Sequence, residues 1–205
     1  QSFGLKGPVK GSSDPYFQHV GLVTNDITAA SLKVNGKSKT LLKDFAVMNN
    51  AVPAAGLKFE DTEIVFAGYG LTKEGYDDFA GINAEGKILM VFTAGDPTVK
   101  TTTEADNNPR AAMMARQRAA ASIQKVKPKA VIYVDLNYAN TPEWSRKAAL
   151  NGRLMLKKPV AANAAPATQR TPPTPSITVS PAVANEILKS SKKTVEALAK
   201  EIMAN

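Results

Sequence analysis

Apolar and polar positions alternate in short runs through the first half of the chain, and a helical spacing of apolar residues takes over near residue 109. Tyr16–Val23 is rich in β-prone residues and ends at the polar break Asn25-Asp26. Ser31–Val34 and Lys37–Leu41 flank Asn35-Gly36, a pair that tolerates the positive φ angles of a two-residue hairpin turn. Lys33, Lys37 and Lys39 alternate with less polar positions, so one face of this hairpin is expected to meet water. A short strand is predicted around Phe45–Met48, and Thr62–Phe66 and Lys87–Phe92 read as core strands. Between these two, Gly75–Gly86 is expected to form a long structured loop.

Pro109–Val126 carries Ala112, Ala115, Ala119 and Ile123 at helical spacing, with Asn108 placed to cap it and Pro109 suited to a first turn. Lys127-Pro128 stops that helix, and Ala130–Val134 follows as a buried-type strand. A shorter helix is predicted over Pro142–Leu150, with Thr141 as its cap and Gly152 beyond its end, then a strand at Arg153–Leu156. Residues 158–175 are an Ala/Pro/Thr-rich stretch of low complexity, which reads as a loop insert. Ile177–Val179 resumes a strand. Ser180 is placed to cap a helix over Pro181–Lys189, and Lys192–Met203 is amphipathic through Val195, Leu198 and Ile202. Strands early and helices late predict an α+β fold, with a mainly antiparallel, barrel-like or sandwich β-sheet flanked by helices.

Composition narrows the chemistry more than it narrows the fold. With 43% apolar and 21% charged residues over 205 positions, the chain can bury a core without a disulfide or a metal. It has no cysteine, which removes thiol catalysis and cysteine-ligated metal centres. His19 is its single histidine, and a zinc site needs three or four ligands at suitable spacing. No run reaches the length of a transmembrane helix, and no basic start leads into an apolar core as a signal peptide would. The net charge of +8 is uneven: residues 57–96 carry −5, whereas 141–205 carry +6. The lysines are scattered and aromatics do not interleave with them, so neither nucleic acid nor a membrane is expected as a partner.

Several residues invite a chemical reading. Asp77 and Asp78 are adjacent carboxylates in a glycine-flanked loop, with Glu60, Asp61, Glu63, Glu74 and Glu85 near in sequence. Calcium is one reading, although the D-x-D-x-D-G spacing is missing. The other is that one of the pair accepts backbone N–H groups and shapes the turn. Gly68-Tyr69-Gly70 follows a strand but completes neither phosphate-binding glycine motif. Ser12, Ser13 and Ser180 lack a nucleophile-elbow context. Trp144, Tyr138 and Tyr133 could face a partner or pack in the core.

The order of residues over 62–97, TEIVFAGYGLTKEGYDDFAGINAEGKILMVFTAGDP, is the most particular in the chain. FAGYG, YDDF-x-G and GKI followed by apolar residues, in that order, resemble the protease-associated domain inserted in secreted two-zinc aminopeptidases. The likeness extends to the lead-in Phe3-Gly4-Leu5-Lys6-Gly7 and Tyr16-Phe17-Gln18, to the helix and strand of Arg116–Val134, and to the closing Pro175–Ser180 with Ala184, Ile187 and Leu188. It departs at Lys127-Pro128-Lys129-Ala130, where the family commonly has Gly-Ala, and in the insert at 158–175.

The resemblance implies a lead-in over 1–15, a protease-associated domain over 16–157, the loop insert at 158–175, and the closing strand and helices of the same domain over 176–205. It implies a noncatalytic domain that covers or flanks an active-site cleft and influences substrate access or protein interaction. A catalytic zinc region would lie elsewhere in a longer peptidase. One histidine cannot seat two zincs, so the chain as given is expected to be no enzyme and to hold no metal or other cofactor. Its implied partners are the parent's catalytic domain and a peptide or protein substrate, in a periplasmic, secreted or cell-surface setting. Tyr69, Tyr76, Asp77 and Asp78 are the candidate binding residues, and Gly68, Gly70, Gly81 and Gly86 the candidate turn glycines. The alternative is a free-standing module that binds a peptide, protein or glycan.

Overall fold

A five-stranded open sheet with helices on both faces organises the structure, a computed structural model that describes residues 11, 20–24, 26–48, 58–60, 62–93, 109–152, 154–156 and 174–204. The strands that build it are β4 (Phe45–Val47), β5 (Ile64–Phe66), β8 (Ile88–Phe92), β9 (Ala130–Val134) and β11 (Ser176–Val179), in the spatial order β4-β11-β9-β8-β5. The other strands form two-stranded antiparallel ribbons: β1 (Leu22–Val23) with β10 (Met155–Leu156), β2 (Leu32–Val34) with β3 (Lys37–Lys39), and β6 (Thr72–Lys73) with β7 (Tyr76–Asp77). The helices are α1 (Pro109–Lys125), α2 (Glu143–Ala148), α3 (Pro181–Ile187) and α4 (Val195–Ala204).

The fold is α+β as the element order predicts, but its central sheet is an open one and not a barrel. Nor is that sheet mainly antiparallel. β5, β8, β9 and β11 run parallel to their neighbours, and only the edge strand β4 is antiparallel, on β11. The physical reason lies in β8 and β9, ILMVF and AVIYV, which are apolar at every position. Such runs suit parallel strands covered on both faces rather than strands with one wet side. A parallel pair also needs a long crossover, and α1 supplies it between β8 and β9.

Period-two alternation sends the strands' side chains to two cores. On one face, Leu89, Val91 and Val131 pack with Ile123 of α1 and with Phe79 and Ala84 of the loop that follows β7. On the other, Met90, Phe92, Ile132, Val134 and Val179 pack with Val34, with Val183 and Ala184 of α3, and with Val195 and Leu198 of α4. The segment after 175 is therefore no appendage: β11 sits between β4 and β9, and α3 and α4 roof the same sheet.

Local details follow from single residues. Asn35 and Gly36 have φ of 49° and 77°, as the turn of the β2–β3 hairpin demands. As expected, one face of this hairpin meets water, that of Lys33 and Ser38. Cross-strand pairing puts Lys37 and Lys39 on the side of Val34 and Leu32, toward α3, and leaves Lys33 with Ser38 on the other. The expected loop 75–86 begins with a second hairpin, β6–β7, turned through Glu74-Gly75. Ser180 caps α3 by accepting the Val183 N–H at 3.5 Å. Thr141 does not cap α2: Pro142 holds that position with no side-chain hydrogen bond, while Thr141 ends the 3-10 turn Tyr138–Asn140. Asn108 and residues 158–173 lie outside the described residues.

Candidate functional site: the Gly68–Gly86 loop

The four candidate binding residues come together at the end of β5. Leaving the sheet, the chain turns through Ala67–Gly70, runs up β6, reverses at Gly75 and returns down β7 to Asp78. The Asp78 carboxylate sits at the centre. One oxygen, Oδ2, accepts the backbone N–H of Tyr69 at 3.0 Å and of Leu71 at 2.9 Å. The other, Oδ1, accepts the Tyr76 hydroxyl at 2.7 Å. Two of these three donors are backbone groups that lie in no strand ladder, and bonds to a carboxylate are stronger than neutral ones.

Asp77 works on the other side of the chain. Its Oδ1 accepts the Thr72 hydroxyl at 2.9 Å and the Phe79 N–H at 3.0 Å. The second bond is an Asx turn that swings Phe79 into the core. Tyr69 is buried and its ring lies 5.2 Å from that of Phe92. Burial, and then the Asp78 charge beside it, push the Tyr69 phenol above its ordinary pKa. Tyr76 is half-buried against the same core. The polar atoms of Tyr76, Asp77 and Asp78 thus point largely into the loop itself.

Gly68 marks the tightest point. Its φ is +42°, and a Cβ placed there would stand 2.7 Å from Asp78 Cγ and closer still to Oδ1. Glycine is required both for the backbone conformation and for the approach of the carboxylate. Gly70 also has positive φ, with Ile123 and Val91 side chains 3.1–3.3 Å from its would-be Cβ. Gly81 and Gly86 adopt φ of +72° in open space.

One residue of this unit went unnoticed in the sequence. Ser122 of α1 is buried, and its hydroxyl accepts the Thr72 N–H at 3.3 Å, tying the hairpin to the helix. A serine among alanines at the buried spacing of an otherwise alanine-rich helix was the available signal. Beyond the loop, a shallow depression of about 230 Å³ is lined by Asn83, Glu85, Lys125 and Lys127, among others.

The remaining candidates scatter. His19, Ser12, Ser13 and Asp61 lie outside the described residues. Glu60 and Glu63 pair with Lys58 and Lys87 at 2.9 and 3.0 Å. Among the described residues no group of three His, Cys, Asp or Glu side chains could hold a metal ion, and no helix is long and apolar enough to cross a membrane. The aromatic trio divides. Tyr138 is buried, donates its hydroxyl to the Leu42 carbonyl at 3.1 Å and carries the Arg146 guanidinium 4.6 Å above its ring. Tyr133 is half-buried against the α1-side core, whereas Trp144 is 73% exposed.

Comparison of the chain with protein-family models, with curated proteins and with solved structures finds no match.

Proposed function

We propose that this chain is the noncatalytic protease-associated module of a zinc aminopeptidase, acting on substrate access or protein interaction from beside the catalytic cleft. The observation that carries the reading is the interdependence of the two motifs on which the resemblance rests. FAGYG supplies Gly68 and the Tyr69 N–H, Leu71 directly after it supplies a second N–H, and YDDF supplies the carboxylate that binds both. Their recurrence in a fixed order then has a physical cause, because neither motif holds its shape without the other. The barrel-like sheet expected from the element order is not the sheet the described residues form, which is open and largely parallel, so the fold lends the reading no support and it rests on this loop. The histidine count adds a chemical argument, since one imidazole cannot furnish a two-zinc centre. A loop-bearing scaffold beside a cleft can gate it through the loops it presents. A periplasmic, secreted or cell-surface setting belongs to the same proposal.

Three measurements test it. The reading frame around this segment is expected to encode a region with paired histidines and acidic residues. In that longer protein, deleting this module should change KM for oligopeptides while kcat on a small aminoacyl-nitroanilide stays the same. The chain by itself, supplied with zinc, should not hydrolyse aminoacyl-nitroanilides. Zinc-dependent turnover that survives repurification overturns the proposal.

A further inference from the structure

The β2–β3 hairpin and the end of α3 bring lysines together around one carboxylate. Glu186 of α3 pairs with Lys39 through a short contact and with Lys37 at 3.9 Å, and Lys189 lies close enough to act on its charge. The Asn35 side chain donates to the Glu186 carbonyl at 2.8 Å, locking the hairpin tip onto the helix end. Lys39 is largely covered, but Lys37 is 76% exposed, and Lys189 and Lys192 are exposed along the 3-10 turn Leu188–Ser191 and its cap. Glu186 is itself mostly covered and offsets the charge of Lys39, which leaves Lys37, Lys189 and Lys192 as the exposed cations of this face.

What this face lacks is as informative as its charge. None of the exposed large apolar side chains among the described residues lies on the hairpin or on residues 181–193, so nothing there would anchor in a bilayer or serve as an aromatic stacking platform. The arginines whose side chains are described, Arg116, Arg118 and Arg146, belong to α1 and α2. Lysine presents a compact, hydrated point charge rather than the planar fork with which arginine grips carboxylate or phosphate, and so suits anionic groups met one at a time. Aromatic and arginine anchors of a protein hot spot are missing as well.

We infer that the face formed by the β2–β3 hairpin and the α3 C-terminus docks an acidic polysaccharide, whose carboxylates or sulfates are spaced singly along a chain. Lys37, Lys189 and Lys192 supply the contacts, and Lys39 and Glu186 hold the array. This inference stands apart from the proposed peptidase role, and either can fail alone.

The test uses immobilised heparin and a heparin octasaccharide in solution, with a duplex DNA oligonucleotide of matched charge alongside. The triple variant Lys37→Glu, Lys189→Glu, Lys192→Glu is compared with a control of equal net charge, Lys58→Glu, Lys125→Glu, Lys147→Glu, each checked for an unchanged far-UV spectrum and thermal midpoint. The wild type should be retained, with affinity falling steeply as salt rises. The face triple should bind the octasaccharide at least about tenfold more weakly, and the control should lose much less. Lys37→Arg, Lys189→Arg, Lys192→Arg should bind as the wild type does, which covers the case in which the acidic triple misfolds. Equal losses in both acidic triples, no retention of the wild type, or DNA bound more tightly than heparin through these same lysines would each overturn the assignment.

Discussion

Gly68 and Gly81 share a left-handed backbone but not a neighbourhood, and the difference separates two costs of adding a methyl group. At Gly81 a Cβ would meet nothing within 4 Å, so Gly81→Ala carries only backbone strain, about 1 kcal/mol. At Gly68 the same methyl also drives into Asp78, which cannot retreat without giving up its two backbone bonds. Urea denaturation should therefore find Gly68→Ala the more destabilising by at least ~1 kcal/mol. Gly81→Val and Gly86→Val should each exceed the alanine cost, because β-branching is worst tolerated at positive φ.

At the level of elements, the β6–β7 hairpin is held by a polar centre more than by its own two-residue strands. Removing the acceptor with Asp78→Ala leaves Tyr69 and Leu71 N–H groups without their partner and should cost about 3 kcal/mol. Tyr76→Phe should cost about 1 kcal/mol, and far less in an Asp78→Ala background. A double-mutant cycle read by urea unfolding gives that coupling directly, and strict additivity would mean that the hydroxyl does not bind the carboxylate in solution. Elements of this kind were legible in the sequence where a local rule decides them. Asn35-Gly36 fixed one hairpin, Ser180 the start of α3, and the apolar run Ala130–Val134 a strand with those same bounds. The direction of the central strands was also written there, in the unbroken apolarity of β8 and β9, but element order alone suggested antiparallel pairing. The β6–β7 hairpin was hidden because Glu74-Gly75 joins strands only two residues long. The placing of Lys39 against Glu186, with Lys37 beside it but exposed, could not be read at all without the cross-strand register. Of the candidate site, the meeting of Tyr69, Tyr76 and Asp78 followed from their proximity in sequence, whereas Ser122 is brought in by α1 from fifty positions away.

For the whole molecule, ionisation sets limits on both sides of neutrality. Glu186 is held below its ordinary pKa by the Lys39 hydrogen bond and the nearby lysine charges. Hydrogen bonds from Thr24 and the Gly152 N–H do the same for Asp26, and a backbone bond with help from Thr194 and Asn185 does so for Glu196. A carboxyl with a depressed folded pKa binds fewer protons folded than unfolded. Its contribution is present above the unfolded value, near ~4.3, and is lost as pH falls through the folded one. Thermal midpoints should hold from neutrality to about pH 5 and decline below about pH 4, less so in Glu186→Gln. On the alkaline side the Tyr138 phenol is pushed up to about 12, chiefly by burial and further by Asp44 and Asp135, against the opposing charge of Arg146. The folded state then keeps a proton that the unfolded chain gives up near ~10, so stability should fall as pH climbs from about 10 toward 12. Tyr138→Phe should flatten that decline while losing the bond to Leu42. Tyr69 and Tyr133, also raised by burial, would retain part of it.

The placement of β11 has a consequence for how the protein is made. Its register joins Val47 to Ile177 on one side and Ile132 to Ile177 on the other. While a ribosome is still building the chain, β4 has emerged with no partner in the central sheet, and β9 offers a bare hydrogen-bonding edge. Exposed edges of this sort invite intermolecular pairing. A nascent chain halted before residue 176 should therefore associate with chaperones or precipitate, and supplying the last segment as a separate peptide should rescue it.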